Sequence, residues 1–117
     1  MSEGQEKMAA DMLKALSDKD VKKIRELVSY GLDANCELVE QLNDGKEIVW
    51  TPLGKPASHG NVELLELLVS LGAKVDKTDK SGFSPLITAA YNGKADAVKF
   101  LVLHGADPGW SGPQNKK

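Results

Sequence analysis

The stretch at 84–107, SPLITAAYNGKADAVKFLVLHGAD, decides how this chain folds. It begins with a Ser-Pro-Leu turn, continues into a short Ala-rich helix, breaks at an Asn-Gly pair and ends a second apolar helix at Gly-Ala-Asp. An earlier copy, TPLGKPASHGNVELLELLVSLGAK, occupies 51–74, and an offset of 33 positions aligns Gly72 with Gly105. A fixed period in this range is typical of stacked repeat architectures. We therefore predict a solenoid built from helix pairs.

A third and more diverged copy precedes these two. An offset of 41 positions aligns Gly31 with Gly72 and Val21 with Val62. Apolar residues recur at helical spacing on both sides of the Ser-Asp-Lys-Asp turn at 17–20. The sequence therefore predicts another helix pair before residue 34, which lacks the Thr-Pro opening of the second copy.

The residues between the first and second copies have the pattern of a β-hairpin. The sequence CELVEQL at 36–42 alternates apolar and polar residues, Asn-Asp-Gly follows at 43–45, and KEIVW at 46–50 is β-prone. We predict an extended finger over 36–50.

Two residues weaken the first helix of the second copy. Pro56 lies where the third copy has Ala89, and a proline inside a helix removes a hydrogen bond and costs about 3 kcal/mol. Gly54 lowers the helix propensity further. We predict that this helix is short or distorted.

Three motifs recur in order: Thr/Ser-Pro-Leu-x3-Ala at 51–57 and 84–90, GNVELLELL at 60–68, and the helix ends LGAK and HGAD. Together they resemble ankyrin repeats. The resemblance implies an all-α fold, an ankyrin-repeat solenoid of about three helix-turn-helix repeats with β-hairpin-like fingers, one of them extended. The expected single domain, 1–117, comprises repeat 1 at about 8–35, the inserted finger at about 36–50, repeat 2 at about 51–79, repeat 3 at about 80–108 and an irregular tail at 109–117.

Composition argues against several classes of partner. The chain holds 15 basic and 17 acidic residues, a formal net charge of −2, so we expect neither nucleic acid nor a membrane as partner. Its apolar runs are far shorter than a membrane span, and the first residues lack the apolar core of a secretory signal. The single cysteine, Cys36, cannot form an internal disulfide. We expect a cytoplasmic location, with the nucleus as a further one.

The sequence offers no constellation for catalysis. His59 and His104 fall in different predicted helix layers, Cys36 has no histidine near it in the sequence, and the glycines form no phosphate-binding loop. A structural role suits His104, because the dipole favours a cation near a helix C-terminus. We therefore expect no catalytic residue, no cofactor and no metal.

The ankyrin resemblance implies a binding scaffold whose contacts lie on a concave face, at the finger tips and the inner helices. The partner-binding residues that it implies are Trp50, Ser58, His59, Lys80, Ser81, Phe83, Tyr91 and Asn92.

Trp50 and Phe83 hold the same position one repeat apart, so we expect them to be neighbours, with Tyr91 nearby. The alternative is that Trp50 packs against the inserted finger as a small separate core. His59 and Asp18 are expected to approach across adjacent repeats, most simply as a solvated surface pair.

The function that the resemblance implies is a non-catalytic protein–protein interaction module. The short length and the phrase LLELLVSLGA also resemble small, myotrophin-like ankyrin-repeat proteins. That likeness implies an alternative, a stoichiometric inhibitor or regulator of a partner such as an actin capping protein.

A further alternative is a self-assembling structural unit. Ala97, Val98, Leu101 and Val102 are expected to face the C-terminal end of the solenoid with no polar repeat above them. Three explanations are open: Trp110 covers them as a lid, two copies associate through this face as a weak homodimer, or the native protein is longer than this chain.

Overall fold

The computed structural model describes residues 3–106, which form consecutive helix pairs and one hairpin. The elements are α1 (Glu3–Asp18), α2 (Val21–Ser29), β1 (Leu38–Gln41), β2 (Glu47–Trp50), α3 (Gly54–His59), α4 (Val62–Ser70), α5 (Pro85–Tyr91) and α6 (Ala95–Leu103). The pairs α1–α2, α3–α4 and α5–α6 agree with the predicted helical repeat solenoid. Trp110, the predicted lid, and the predicted tail at 109–117 lie outside the described residues.

Side-chain caps set where the helices begin. Asp20 and Asn61, which align at the offset of 41, each accept a hydrogen bond at 3.1 Å from the backbone N–H three residues later, and so start α2 and α4. Ser84 caps α5 in the same way, accepting from the Ile87 N–H at 3.2 Å. These side chains satisfy backbone donors that have no partner inside a helix. Gly60 follows the C-terminal end of α3 and adopts a φ of 72°, in the left-handed region that glycine favours.

The first helix of the second repeat is shortened rather than kinked. α5 begins at Pro85, but α3 begins at Gly54, after the aligned Pro52. This late start places Pro56 in the first turn, where a backbone N–H would have no helical partner. Proline is tolerated there for that reason. The predicted distortion takes the form of a helix of only 6 residues.

Leucines of α4 form the centre of the core. The four buried residues of this helix are Leu64, Leu65, Leu67 and Leu68. They are buried because α4 packs on α3 in its own repeat and on α6 in the next. A helix that is apolar around much of its circumference is one that neighbours cover on several sides. Within residues 3–106, no helix combines the length and the apolar character that a membrane span requires.

The last helix exposes less apolar surface than the sequence predicted. Ala97 and Leu101 are fully buried and so are not exposed at the end of the solenoid. They lie one turn apart on a single side of α6, which packs on α4 and α5. Val98 is half-buried, and Val102 and Leu103 are exposed on the remaining surface of the helix.

The hairpin changes how the first repeat meets the second. β1 and β2 pair antiparallel, with Leu38 opposite Trp50 and Glu40 opposite Ile48. β1 packs along α1, whereas α3 packs on α5 and α4 on α6. Within residues 3–106, no comparably close packing joins α1 to α3. The first junction between repeats is therefore more open than the second.

The connection between the second and third repeats is a turn rather than another hairpin. The Asp79 N–H donates to the Phe83 carbonyl at 3.0 Å, and the Gly82 N–H donates to the Asp79 carbonyl at 3.0 Å. Between α4 and α5 the described chain contains no strand. Of the predicted β-hairpin-like fingers, the extended one at 36–50 contains the strands of the described structure.

Asn35 makes a pair of hydrogen bonds between repeats. Its Nδ2 donates to the Gly72 carbonyl at 3.2 Å, and its Oδ1 accepts from the Lys74 N–H at 2.8 Å. Both backbone partners lie just beyond the end of α4. One amide side chain thus connects the loops that follow α2 and α4, and holds two successive repeats in register.

We expect Asn35→Ala to lower the free energy of unfolding by about 1–2 kcal/mol, because two hydrogen bonds are lost. Asn35→Asp is the matched variant: it keeps the acceptor for Lys74 but sets a carboxylate oxygen against the Gly72 carbonyl, so we expect a loss at least as large. Urea denaturation at pH 7 measures both values. Equal stability of wild type and Asn35→Ala would show that these bonds make no net contribution.

Candidate functional site

The structure brings three of the sequence-predicted contact residues together on the third repeat. Phe83, Ile87, Thr88, Tyr91 and Asn92 line a concavity of about 330 Å³. Tyr91 is 91% exposed and Phe83 is 39% exposed. The Asn92 side chain donates from Nδ2 to the Thr88 carbonyl at 2.8 Å, which holds its amide at the end of α5. The result is an accessible apolar surface with two aromatic rings on it.

The turn before α5 fixes the backbone next to this concavity. Asp79 Oδ1 accepts hydrogen bonds from the N–H groups of Ser81 at 2.9 Å and Phe83 at 3.0 Å. An aspartate that bonds the backbone ahead of it stabilises a turn. Lys80 and Ser81 are exposed at the tip of this turn. The turn therefore presents three predicted contact residues from a hydrogen-bonded backbone.

Trp50 lies outside the concavity of the third repeat. It is half-buried, and its Nε1 donates to Glu40 Oε1 across the hairpin at 2.8 Å. Its ring also covers the start of α3: a Cβ added to Gly54 would lie 3.4 Å from Trp50 Cε3. The sequence predicted only that Gly54 weakens the helix. In the structure, the absence of a side chain at Gly54 leaves room for the Trp50 indole. The packing matches the alternative in which Trp50 belongs to a small core beneath the hairpin.

A salt bridge between Lys55 and Glu40 lies beside Trp50, and sequence reasoning missed it. Lys55 is only 7% exposed, and its Nζ lies 3.0 Å from Glu40 Oε1 and 5.3 Å from the centroid of the Trp50 ring. A buried ammonium group needs such a partner, because burial without one is costly. The sequence signal that could have revealed this pair is the alternation of apolar and polar residues in the hairpin, which places Glu40 on the same face as the buried Leu38.

The electrostatics of Glu40 follow from these contacts. The hydrogen bond from Lys55 lowers the pKa of the Glu40 carboxyl, and the hydrogen bond from Trp50 lowers it further. The charges of Lys55 and His59 act in the same direction, while partial burial opposes them. Glu40 therefore stays ionised, and its charge-assisted hydrogen bond from Lys55 joins the hairpin to α3.

A larger cleft lies between the first and second repeats. Its volume is about 540 Å³, and its lining comprises Leu16, Ser17, Lys19, Lys55, Pro56, His59, Asn61 and Leu64. His59 is exposed in it, while the Ser58 hydroxyl donates to the Lys55 carbonyl at 2.7 Å. Asp18, expected near His59, instead forms an ion pair with Lys14 at 3.0 Å.

The chemistry of the described residues suits binding. Cys36 is half-buried, and burial, followed by the charge of Asp33, raises the pKa of its thiol, which disfavours the reactive thiolate. His104 stacks on Phe100 with ring centroids 4.0 Å apart, at the C-terminal end of α6. Within residues 3–106, no group of three or more His, Cys, Asp or Glu side chains is placed to hold a metal ion.

Parts of this sequence are similar to known proteins. A family model described as ankyrin repeats (3 copies) matches residues 12–109. The chain is 31% identical over 90 residues to serine/threonine-protein kinase 12 of Arabidopsis thaliana, covering 77% of this chain and 18% of that protein. It is 38% identical over 61 residues to protein phosphatase 1 regulatory subunit 27 of Homo sapiens, covering 48% of this chain and 40% of that protein. It is 45% identical over 62 residues to ankyrin repeat domain-containing protein 29 of Homo sapiens, covering 49% of this chain and 21% of that protein. The chain spans less than half the length of each of these relatives.

We expect Glu40→Gln to lower the free energy of unfolding at pH 7 by about 1–3 kcal/mol, because it leaves a buried ammonium group without a carboxylate. Lys55→Met is the matched variant, since it replaces the buried cation with an apolar side chain and leaves the part-exposed Glu40 in contact with water. Its loss should be smaller. Urea denaturation of both single variants and the double variant measures the coupling energy of the pair.

The pH dependence of the same variant tests the ionisation of Glu40. Because the pKa of Glu40 is lowered in the folded protein, its stabilising contribution is present above its ordinary value of 4.5 and is lost as pH falls through the folded pKa. The difference in unfolding free energy between wild type and Glu40→Gln should be largest near pH 6–7 and shrink toward pH 3. A difference that stays constant from pH 6 to pH 3 would contradict the assignment.

Proposed function

This chain belongs to the ankyrin-repeat family, and we propose that it is a non-catalytic module that binds a protein partner on its concave face. Ankyrin repeats generally mediate protein–protein interaction. The face in question comprises the hairpin, the turn at 79–83 and the inner helices α1, α3 and α5. Function within this family resides in the surface residues rather than in the fold, so the proposal depends on what this face presents.

The observation that carries the proposal is the exposure of two aromatic side chains beside one concavity. Tyr91 is 91% exposed and Phe83 is 39% exposed, and both line the concavity of about 330 Å³ on the third repeat. Aromatic side chains contribute a large share of interface energy, each hot spot being worth about 2 kcal/mol or more. Their rigid rings can cover a partner's apolar surface at a small cost in conformational entropy.

A regulatory role is the second candidate, and one relative supports it. Protein phosphatase 1 regulatory subunit 27 is, by its name, a regulator of another protein. The chain would act in the same general way if its partner's working surface were the surface that it covers. An actin capping protein as that partner, and a cytoplasmic or nuclear location, remain predictions from the sequence.

Self-assembly is the third candidate. Val102 and Leu103 are exposed on α6. A concavity of about 380 Å³ beside them is lined by Ala90, Gly93, Ala95 and Val98 together with Lys94 and Lys99. A second copy could cover this surface. Light scattering at two protein concentrations separates a monomer from a dimer that uses it.

We expect the double variant Phe83→Ala/Tyr91→Ala to lose at least half of the proteins that wild type captures from a cell lysate, measured by quantitative mass spectrometry. The physical reason is the loss of both aromatic contacts on the proposed binding face. Neither side chain belongs to the buried core, so the thermal unfolding midpoint should fall by no more than a few degrees.

Tyr30→Ala is the matched control. Tyr30 is 70% exposed at the end of α2, away from the concavity of the third repeat, and its removal should leave the set of captured proteins unchanged. If the double variant retains every partner of wild type, the assignment of the concave face is wrong.

A further inference from the structure

The inserted hairpin accounts for the cleft between the first and second repeats. β1 packs along α1, whereas α3 packs closely on α5 of the third repeat. The end of α1 and the length of α3 therefore remain apart, and a space of about 540 Å³ lies between them. Buried side chains of Leu16, Pro56 and Leu64 close its floor.

The polar lining of this cleft carries positive charge. Lys19, Lys55 and His59 line it, together with Ser17 and Asn61, and its lining contains no acidic residue. This is a local departure from the chain as a whole, whose formal net charge is −2. The basic groups come from three different positions, just after the end of α1 and at two places on α3.

The carboxylates that flank Lys19 in the sequence already have partners. Asp18 forms an ion pair with Lys14 at 3.0 Å, and Asp20 accepts from the Lys23 N–H as the cap of α2. Lys19, which these two residues flank, has no ion pair among the described residues. Its cation is therefore available to a ligand.

Lys55 retains capacity for a second acceptor. Glu40 takes one hydrogen bond from its Nζ at 3.0 Å through a single carboxylate oxygen. An ammonium group has three donors, so further donors remain on a side chain that is only 7% exposed. The lining thus holds a deep cation with a fixed position and two exposed basic groups, Lys19 and His59, nearer the solvent.

We propose that this cleft binds an acidic peptide segment of a protein partner, whose carboxylates contact Lys19, His59 and the remaining donors of Lys55. The inference rests on the proposed function and specifies the chemistry of the partner. The basic side chains are spaced around an apolar floor. This arrangement suits a peptide segment in which carboxylates alternate with short side chains. A long polyanion or an anionic membrane fits poorly, because the acidic remainder of the chain repels it.

The probe is a capped octapeptide of alternating glutamate and glycine, and the measurement is a titration of the isotopically labelled protein followed by NMR amide shifts at low salt. We expect shifts at residues 16–20 and 54–61, and weaker binding as sodium chloride is added. The same peptide with glutamine in place of glutamate should cause no saturable shifts.

The double variant Lys19→Met/His59→Gln should weaken binding of the glutamate peptide by about fivefold or more, as expected from losing one exposed charge contact and the imidazole contact beside it. Both side chains are exposed, so the thermal unfolding midpoint should be unchanged. Lys99→Met removes one positive charge from the third repeat and is the control: it should leave the affinity within a factor of two.

Three outcomes would overturn the proposal: equal binding of the glutamine peptide, unchanged affinity of Lys19→Met/His59→Gln, or saturable shifts that map away from the cleft. Inorganic phosphate is a further arm, and phosphate that binds as tightly as the peptide would indicate a general anion site instead. The Phe83→Ala/Tyr91→Ala protein should bind the peptide like wild type. The experiments therefore distinguish an error in the proposal for the aromatic surface from an error in the proposal for the cleft.

Discussion

The salt bridge between Lys55 and Glu40 joins the inserted hairpin to the second repeat, and the geometry of the concave face depends on it. Lys55 is buried, so its ammonium group can be stable only beside a hydrogen-bonded anion. That anion lies on β1, 15 residues earlier in the chain. The same Glu40 oxygen accepts from Trp50, which fixes the indole over Gly54. One carboxylate thereby sets the position of a strand, a ring and the start of a helix. Ion pairs of this kind add little net stability over an apolar pair, so the main effect of this one is to join β1 to α3.

The hairpin also makes the two junctions between repeats different. At the second junction, α3 packs on α5 and α4 packs on α6, so apolar surface is shared along both helix layers. At the first junction, β1 packs on α1 where another helix would otherwise lie. Asn35 offsets part of this difference, because its two hydrogen bonds connect the loops that follow α2 and α4. The first repeat is thus attached through a strand and an amide, and the cleft is the space that remains.

Much of the fold could be predicted from the sequence because its signals are local and repeated. The period of the motif predicted the helix pairs, the Asn-Asp-Gly turn predicted the hairpin, and Pro56 predicted a short helix. The burial of Ala97 and Leu101 could not be predicted in the same way. Helical periodicity places both residues on one side of α6, but it does not say whether that side faces inward or outward. The packing of α6 on α4 and α5 decides the matter.

The candidate site was predictable only where it follows the repeat. Phe83, Tyr91 and Asn92 occupy positions that the motif defines, and the structure places them together. Trp50 holds the position equivalent to Phe83, yet it packs beneath the hairpin, because the insertion supplies a Glu40 acceptor that the third repeat lacks. Lys55 and Glu40 belong to no motif of the repeat. Their pairing is a contact between an insertion and a regular helix, which repeat periodicity cannot reveal.

The two concave features differ in chemistry, and this difference bears on how a partner would be selected. The aromatic surface of the third repeat offers apolar contact area, which mainly slows dissociation once a partner is seated. The cationic cleft offers charge, which guides encounter and disfavours partners of the wrong sign. Charge of this kind acts over about 8 Å at physiological salt, whereas apolar contact acts only at touching distance. Since the features lie on different repeats, a partner that satisfies both must present an acidic segment and an apolar patch at a fixed separation. The packing of α3 on α5, together with the ion pair of Lys55 with the hairpin, sets that separation.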